Sequence, residues 1–572
     1  MKNAEIAKIF YEIADLLEMQ AVQFKPQAYR KAARTLEGMS EDIEKVSGEG
    51  RLTELAGVGE ALAGKIQEYL KTGKVKHLDE LKKKIPGNLD ELLKVQGLGP
   101  KRALVLYDKI KIESIDDLEK AARQGRIRRI EGFGEKTEQD ILKGIEMYRL
   151  GTKRMLLGVA LPLAREIVEK LKSLKEVKRA EIGGSIRRRA ETIGDIDILV
   201  TTSNPSKISK FFVSMPEVER VFAEGDTKSS ILLRNGKQVD LRVLKEDEFG
   251  SALQYFTGNK DHNIKLRNIA IKKGLKLSEY GLFRKAGSKR IAGRSEEEVY
   301  KKLGLQYIEP ELREDQGEID LALKNKIPKI IGYGDIKGDL QMHTKNSDGV
   351  NTVKEMAVAA KSMGYEYISM TDHSQSEKIA NGMEPERLLK YIQGIRKAEK
   401  EVKGIRIFAS AEVDIKSDGS LDYSDDILKK LDIVTVSIHS GFKMEKEKMT
   451  QRICSGLQNK HVDIFNHPTG RYINRREPYE MDFEKVVQTA VKNKVHLEIN
   501  SSPERLDLKD SLIRKAKELG ADFTISTDAH SVDGLKAMEY GIAMARRGWL
   551  TKKDVINTRS LKELPKYFKN LK

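Results

Sequence analysis

The stretch GDIDIL, Gly194 to Leu199, places Asp195 and Asp197 two residues apart in a run of isoleucine, leucine and valine that ends at Val200. The run reads as a β-strand, in which side chains at i and i+2 point the same way. Both carboxylates are therefore expected on one sheet face, with Ile196 and Ile198 packed into the other. Two aimed carboxylates suit Mg²⁺, a hard cation that takes oxygen ligands. Upstream, GGSIRRR (Gly183 to Arg189) offers small residues, a hydroxyl and guanidiniums where a triphosphate would sit. Downstream, SSILLRN from Ser229, a turn at Gly236 and KQVDLRV to Val243 read as a hairpin that carries Asp240, a third carboxylate. Three carboxylates on adjacent strands can hold two Mg²⁺ ions roughly 3.5–4 Å apart, one to activate an attacking hydroxyl and one to grip a phosphate.

A second set of chemically capable residues lies near the C-terminus. Of nine histidines, five follow apolar runs beside acids: His343 in LQMHTKNSDG, His373 in MTDHS, His439 in VSIHS, His467 in IFNHP and His530 in STDAH. Asp348, Glu412 and Asp528 complete the set. Strands and helices alternate through this region, which predicts a barrel-like α/β domain. Histidines and carboxylates at the carboxyl ends of barrel strands are metal ligands in the first instance. His461 and His496 fit no ligand position and are read as structural.

The elements that must position these groups begin with the length. At 572 residues the chain is too long for one core. A net charge of +17 points to a polyanionic partner, and nucleic acid fits better than a membrane surface because no cationic amphipathic tail is present. The single cysteine, Cys454, excludes a disulfide framework and suits a reducing, cytoplasmic setting. No stretch approaches the ~20 apolar residues of a membrane span. Ile6, Ile9, Phe10, Ile13, Leu16 and Leu17 predict an amphipathic helix over 3–18. A second helix is expected over 27–36, with a basic face of Tyr29, Arg30, Lys31 and Arg34. A third is expected over 162–174, with Pro162 in its first turn.

Three copies of a G-h-G element, h being apolar, follow: Gly57 and Gly59 in LAGVGEALAGKI, Gly97 and Gly99 in VQGLGPKRAL, Gly132 and Gly134 in IEGFGEKTEQDIL. Each has an apolar residue two positions earlier and a helical pattern after it. The glycines permit a tight turn into a helix N-terminus whose amides can bind phosphate. The copies resemble helix-hairpin-helix motifs, which grip the DNA backbone without reading sequence.

The D-x-D strand paired with GGSIRRR resembles the nucleotidyltransferase palm of the DNA polymerase β superfamily. YFTGNKDHNIKLRNIAIKKGLKLSEYGLF, Tyr255 to Phe283, is similar to the nucleotide-binding subdomain of family X polymerases. That resemblance covers residues 1 to about 315, in the bacterial and archaeal form of the family. It implies that Asp195 and Asp197 bind both ions and that Asp240 binds the catalytic one and helps accept the primer proton. It assigns Gly184, Ser185 and Arg188 to the triphosphate. Tyr255, Phe256 and Gly258 go to the sugar and minor-groove edge, and Asn263 and Arg267 to the base and template. In the first helix-hairpin-helix, Lys65 matches the Schiff-base lysine of deoxyribose-phosphate lyases, and Lys25, Tyr29 and Arg30 match a 5′-phosphate pocket. Ala61 and Phe24 depart from that pattern, standing where a lysine and a histidine are usual.

The histidine-rich region resembles the PHP (polymerase and histidinol phosphatase) domain, a distorted (β/α)7 barrel holding up to three Mn²⁺, Zn²⁺ or Fe²⁺ ions. The resemblance implies one ion at His343, Glu412 and Asp528, a second at Glu412, His439 and His467, and a third at Asp348, His373 and His530. Lys345 and Arg471 are the expected phosphate contacts. The family pattern opens H-x-H, whereas this chain has Gln341-Met342-His343.

The expected order is a lyase-like helical domain over 1–85, two further helix-hairpin-helix motifs over 86–150, the palm over 151–247, and a thumb-like subdomain over 248–315. A linker over 316–335 and the PHP domain over 336–572 complete it. A multidomain α/β protein follows. The leading reading is a monomeric DNA-directed DNA polymerase that fills short gaps with dNTPs in base excision repair of gapped or primer-template DNA, with a PHP 3′–5′ exonuclease. Alternatives are an inert, structural PHP domain, and a template-independent nucleotidyltransferase serving a DNA-binding repair factor.

Overall fold

The computed structural model describes residues 2–571 apart from 20–21, 23–24, 38–42, 56, 85–91, 93–94, 96–97, 153 and 286–288. The chain divides into two compact units. One comprises 1–154, 171–181 and 194–305, the other 155–170, 182–193 and 306–572.

The first unit opens on the helix Lys2–Met19, whose Ile6, Phe10, Ile13 and Leu17 fall on one buried stripe. It packs on the helix Lys25–Glu37. Tyr29 does not join the expected basic face: it is buried edge-on against Phe10, with ring centroids 5.4 Å apart, because the phenol is needed to fill this small helical core. The same core runs on through the three hairpins.

The hairpins share one turn. The amide of Val58 donates to the Leu55 carbonyl at 2.9 Å, Leu98 to Val95 at 3.1 Å, and Phe133 to Ile130 at 3.0 Å. Val58, Leu98 and Phe133 are buried. Gly57 and Gly132 both adopt φ of 86°, a left-handed conformation that glycine takes without steric cost. Gly97 lies outside the described residues. Helices then start directly after Gly59, Gly99 and Gly134: Glu60–Thr72, Pro100–Ile110 and Glu135–Thr152.

A mixed sheet follows, in the order Val177–Ile182, Ile196–Thr202, Gln238–Leu244, Lys228–Leu233, Val218–Ala223. Ile196–Thr202 and Gln238–Leu244 are parallel, with Asp197 directly beside Asp240. Ile196 and Ile198 are fully buried on the opposite face. On the carboxylate side, Leu199 is covered by Phe249, Ala252 and Leu253 of the helix Phe249–Thr257, which leaves the aspartate end of the strand uncovered.

The helix expected over 162–174 runs Leu157–Lys172, with Pro162 in its interior. Leu157, Ala160, Leu161 and Ala164 form a buried stripe that extends the helix N-terminally despite the proline.

The second unit contains seven parallel strands in chain order: Gly338–Asp339, Tyr367–Met370, Arg406–Asp414, Ile433–Ser437, Ile464–Phe465, His496–Asn500 and Phe523–Ser526. Backbone contacts join the ends of this sheet: His343 donates to the Ala529 carbonyl at 2.8 Å and Asp528 to the Gln341 carbonyl at 3.1 Å. The result is a nearly closed barrel with the (β/α)7 order. Tyr367, Ile433 and Ile464, each the first residue of its strand, pack with Ile556, Leu564 and Phe568 of the C-terminal segment, which plug the amino-terminal end. The expected linker is instead folded into this unit. It carries the helix Glu318–Leu323 and buries Ile319, Ala322 and Ile331, apolar positions frequent enough to anchor it.

Candidate functional site

In the first unit the aspartates sit at one end of the central strand pair. The parallel register sets Asp197 against Asp240, and Asp195 precedes the strand by one residue. Asp240 Oδ1 accepts Gln238 Nε2 at 2.9 Å and the Ser230 hydroxyl. Its Oδ2 lies 3.4 Å from Lys228 Nζ. Asp195 is exposed as a residue, yet its carboxyl is crowded by protein, and this, with the charge of Asp240, raises its pKa. Crowded like charges fit a cation site, and Lys228 supplies positive charge at its edge. Gln238, Ser230 and Lys228 escaped the sequence reading, although the hairpin register about Gly236 places Ser230 opposite Asp240.

The Tyr255 to Arg267 segment is tightly built. Tyr255 and Phe256 meet edge-on at 5.2 Å, and the Arg242 guanidinium lies 4.8 Å from the Phe256 ring. Gly258 ends the helix at φ of 69°. Asn263, assigned by the resemblance to the base, is buried, donating to the Tyr255 carbonyl at 2.7 Å and accepting from Gln254 at 2.6 Å. Arg267, one turn on, is half-buried. Asn263 thus holds the backbone of the aromatic pair.

Gly184 and Ser185 open a four-residue helix, Gly184–Arg187, in the second unit. Arg188 Nε donates to Glu314 at 3.1 Å. At the candidate lyase position Lys65 is half-buried, and the His77 pKa is lowered by burial and by Lys65. Lys25 and Ala61 are exposed, whereas Arg30 is held by Asp15 at 2.5 Å and Glu18 at 2.6 Å. Phe24 lies outside the described residues.

In the barrel, every candidate ligand except Asp348, which lies in the loop after Gly338–Asp339, sits at or just past the carboxyl end of a strand. Glu412 is inside Arg406–Asp414; His343, His373, His439, His467, Asp528 and His530 follow their strands within four residues. His467 and Asp528 take positive φ, 28° and 56°, a strained backbone at a cluster of polar groups. Three groups bring ligand atoms within 4.8 Å of one another: His343 with Glu412 and Asp528; His343 with Asp348, His373 and His530; His373 with Glu412 and His439. The first is the expected triad. The second adds His343 to the expected one. The third has His373 where His467 was expected, because a parallel bridge sets His373 beside Glu412. His467 still reaches Glu412, Nε2 to Oε1 at 2.8 Å.

A fourth group, Glu377, Asp414 and His439, was not foreseen. His439 Nδ1 lies 2.8 Å from Asp414 Oδ1, a contact that orients the imidazole toward Glu412, 3.5 Å from its Nε2.

The electrostatics match cation binding. Glu412 is buried, a burden offset by the histidines around it, and its pKa falls well below the ordinary value. Asp348 drops to about 2, burial being outweighed by His530, His343 and His373. Burial and His343 push His373 down to about 3. His439 rises to about 10, Glu412 and Asp414 overcoming burial. Among the described residues the Gln341 amide is buried without a hydrogen-bond partner, and the buried His343 ring nitrogens face carboxylates, Nε2 lying 3.1 Å from Asp528 Oδ1. An orphaned amide and imidazoles among carboxylates fit divalent ions of the Mn²⁺ or Zn²⁺ kind.

These ligands open into a cavity of about 420 Å³ also lined by Phe442, Tyr472, Arg476 and Arg505. Arg471 is engaged elsewhere, donating to Glu191 at 2.9 Å and to the Leu506 carbonyl, and Lys345 is exposed. His461 and His496 bond the C-terminal segment, at Asn570 (2.9 Å) and the Tyr567 carbonyl (3.1 Å).

A palm-like sheet bearing three carboxylates and a barrel with clustered histidines and carboxylates in one chain define a class of two-site proteins, and comparison with known proteins narrows it. Family models match the DNA polymerase beta palm over residues 161–232 and the DNA polymerase beta thumb over 252–314. They also match a helix-hairpin-helix domain over 1–75, a SAM-like helix-hairpin-helix tandem over 89–146, and RNase P subunit p30 over 336–538. The chain is 38% identical over 572 residues, all of both chains, to the DNA polymerase/3′-5′ exonuclease PolX of Bacillus subtilis (strain 168). It is 30% identical over 245 residues to a protein of Thermoanaerobacter sp. (strain X514) named a probable phosphatase, covering 41% of this chain and 95% of that one. It is 26% identical over 342 residues to DNA polymerase lambda of Rattus norvegicus, covering 54% of this chain and 56% of that one. The chain belongs to the PolX family of family X DNA polymerases. Among the described residues no helix is long and apolar enough to cross a membrane.

Proposed function

We propose that this protein is a DNA-directed DNA polymerase that fills short gaps during base excision repair and trims 3′ ends with its barrel. The observation that carries the synthetic half is the register that sets Asp197 beside Asp240, with Asp195 on the same face. Two Mg²⁺ ions at Asp195, Asp197 and Asp240 would activate the primer 3′-hydroxyl and neutralise the triphosphate. Asp240 accepts the primer proton, and Gln238 and Ser230 hold its carboxylate in place. Gly184, Ser185 and Arg188 take the triphosphate, Arg188 exchanging Glu314 for it. Tyr255, Phe256 and Gly258 line the sugar, with Asn263 fixing their backbone and Arg267 reaching the template. The hairpin glycines Gly57, Gly59, Gly97, Gly99, Gly132 and Gly134 hold the DNA backbone, and Lys65 is a candidate lyase nucleophile. The protein acts as a monomer, with domain limits near those expected from its motifs.

In the barrel, Mn²⁺ or Zn²⁺ held by His343, Asp348, His373, Glu412, His439, His467, Asp528 and His530 would supply an activated water and a clamp for a phosphate ester. Asp414 orients His439 for this. The buried, unpartnered Gln341 amide supports a weaker ligand where the family pattern has histidine. The test uses a 5′-phosphorylated gapped duplex across a divalent-metal series. Insertion of only the templated nucleotide, together with Mn²⁺-dependent shortening of 3′ ends, is expected. Insertion regardless of template would overturn the polymerase reading; intact 3′ ends in every metal would leave the barrel inert.

A further inference from the structure

Beyond the metal ligands, the barrel cavity carries two guanidiniums that nothing in the metal chemistry uses. The Arg476 guanidinium lies 3.9 Å from the Phe442 ring centroid and 4.7 Å from that of Tyr472. The Arg505 guanidinium lies 4.2 Å from the same Tyr472 centroid. Two cations are therefore gathered around one ring, against their mutual repulsion, in the cavity that also holds His439, His467 and Asp528.

The aromatic contacts lower the cost of holding them there and fix their planes. They do not neutralise them. Arg505 Nε is 3.6 Å from Asp528 Oδ2, so this guanidinium touches the candidate ligand cluster. Among the described residues Arg476 makes no ion pair; its Nε donates to the Gly470 carbonyl at 2.9 Å. The nearby Glu504 is taken by Arg475 at 3.2 Å. Burial and the neighbouring Arg505 both lower the pKa of Arg476, as expected of a cation whose counter-anion is not protein. Planar guanidiniums match phosphate oxygens bidentately.

We propose that Arg505 and Arg476 form a two-phosphate clamp, in which Arg505 takes the scissile phosphodiester beside Asp528 and Arg476 takes the next phosphodiester of the same strand. The clamp rests on the nuclease reading above and adds a substrate class to it: a polynucleotide end with at least two successive phosphodiesters. Phe442 and Tyr472 are positioning residues that aim the guanidiniums.

The test uses the full-length protein with Mn²⁺ and single-stranded oligonucleotides containing one, two or three phosphodiesters. In the wild type, kcat/KM rises about tenfold from one to two phosphodiesters, mainly through KM, as one charge-assisted contact would give. It then levels off. Arg476→Ala removes that step and Arg476→Lys retains part of it. Both variants keep the wild-type circular dichroism spectrum and both wild-type transitions in urea, which shows that the barrel is folded, and both fill a gapped duplex at the wild-type rate. An undiminished step in Arg476→Ala, or no step in the wild type, overturns the clamp and leaves the nuclease reading standing. Failure of the wild type to degrade any chain overturns both.

Discussion

Adding Mn²⁺ to chelator-stripped protein should expel protons from the barrel, and their number follows from the site. Burial alone would lower the pKa of His439, but Glu412 and Asp414 raise it to about 10. Burial is likewise overcome at His530, which Asp348 and Asp528 raise to about 9. Both imidazoles are therefore protonated at about pH 7.5, where an unperturbed histidine is mostly neutral. His373, pushed down to about 3, is already neutral, and Asp348, at about 2, is already ionised. Metal ligands must be deprotonated, so loading releases about two protons: one from the group of His373, Glu412 and His439, one from the group of His343, Asp348, His373 and His530. Affinity at each group should then rise about tenfold per pH unit above neutrality, levelling near pH 9 for His530 and near pH 10 for His439. Titration calorimetry in buffers of different ionisation enthalpy counts the protons directly. Zero release at about pH 7.5, or an affinity that ignores pH, would refute the electrostatic reading of the site. The same shifts set the sign for the stripped fold. Raised histidines stabilise it fully below their ordinary value, and that contribution fades as pH climbs through about 9 and then about 10.

Three further outcomes are expected. Ile198→Ala empties a fully buried position beneath the aspartates and should cost about 2–5 kcal/mol, seen as an earlier first transition in urea with the barrel's transition unmoved. Gly132→Ala has room for its methyl but must hold φ of 86°, so it should destabilise the third hairpin by about 1–2 kcal/mol and weaken binding to a gapped duplex in fluorescence anisotropy. With a net charge of +17, binding to that duplex should weaken steeply with added salt, and a flat log–log plot would contradict a backbone-gripping mode.

The sequence carried the parts of this molecule that obey a local period. The i, i+2 spacing of Asp195 and Asp197 and the Gly236 turn give the palm register. The repeated apolar-x-G-h-G spacing gives the same amide-to-carbonyl bond three times, and the rule of a ligand just past each strand gives most of the barrel site. Long-range placement was the part that stayed hidden. Asn263 looks like an exposed helical amide until the Phe249–Thr257 helix is seen to present Gln254 and the Tyr255 carbonyl to it. His373 joins Glu412 through a bridge between neighbouring strands, a register that no local pattern encodes. Arg476 and Arg505 are nearly thirty positions apart and meet only because Tyr472 stands between them. The 316–335 stretch reads as a linker because it mixes charge, Pro328 and glycines, yet buried Ile319 and Ile331 hold it down.

One chain is expected to carry two independent metal centres, one that builds and one that trims. Asp240→Ala and His373→Ala, compared on one gapped duplex with labelled 3′ ends in Mg²⁺ and in Mn²⁺, test it most directly. Asp240→Ala should lose extension and keep 3′ degradation, and His373→Ala should do the reverse. Loss of both activities in either variant, or extension that persists in Asp240→Ala, would contradict the account.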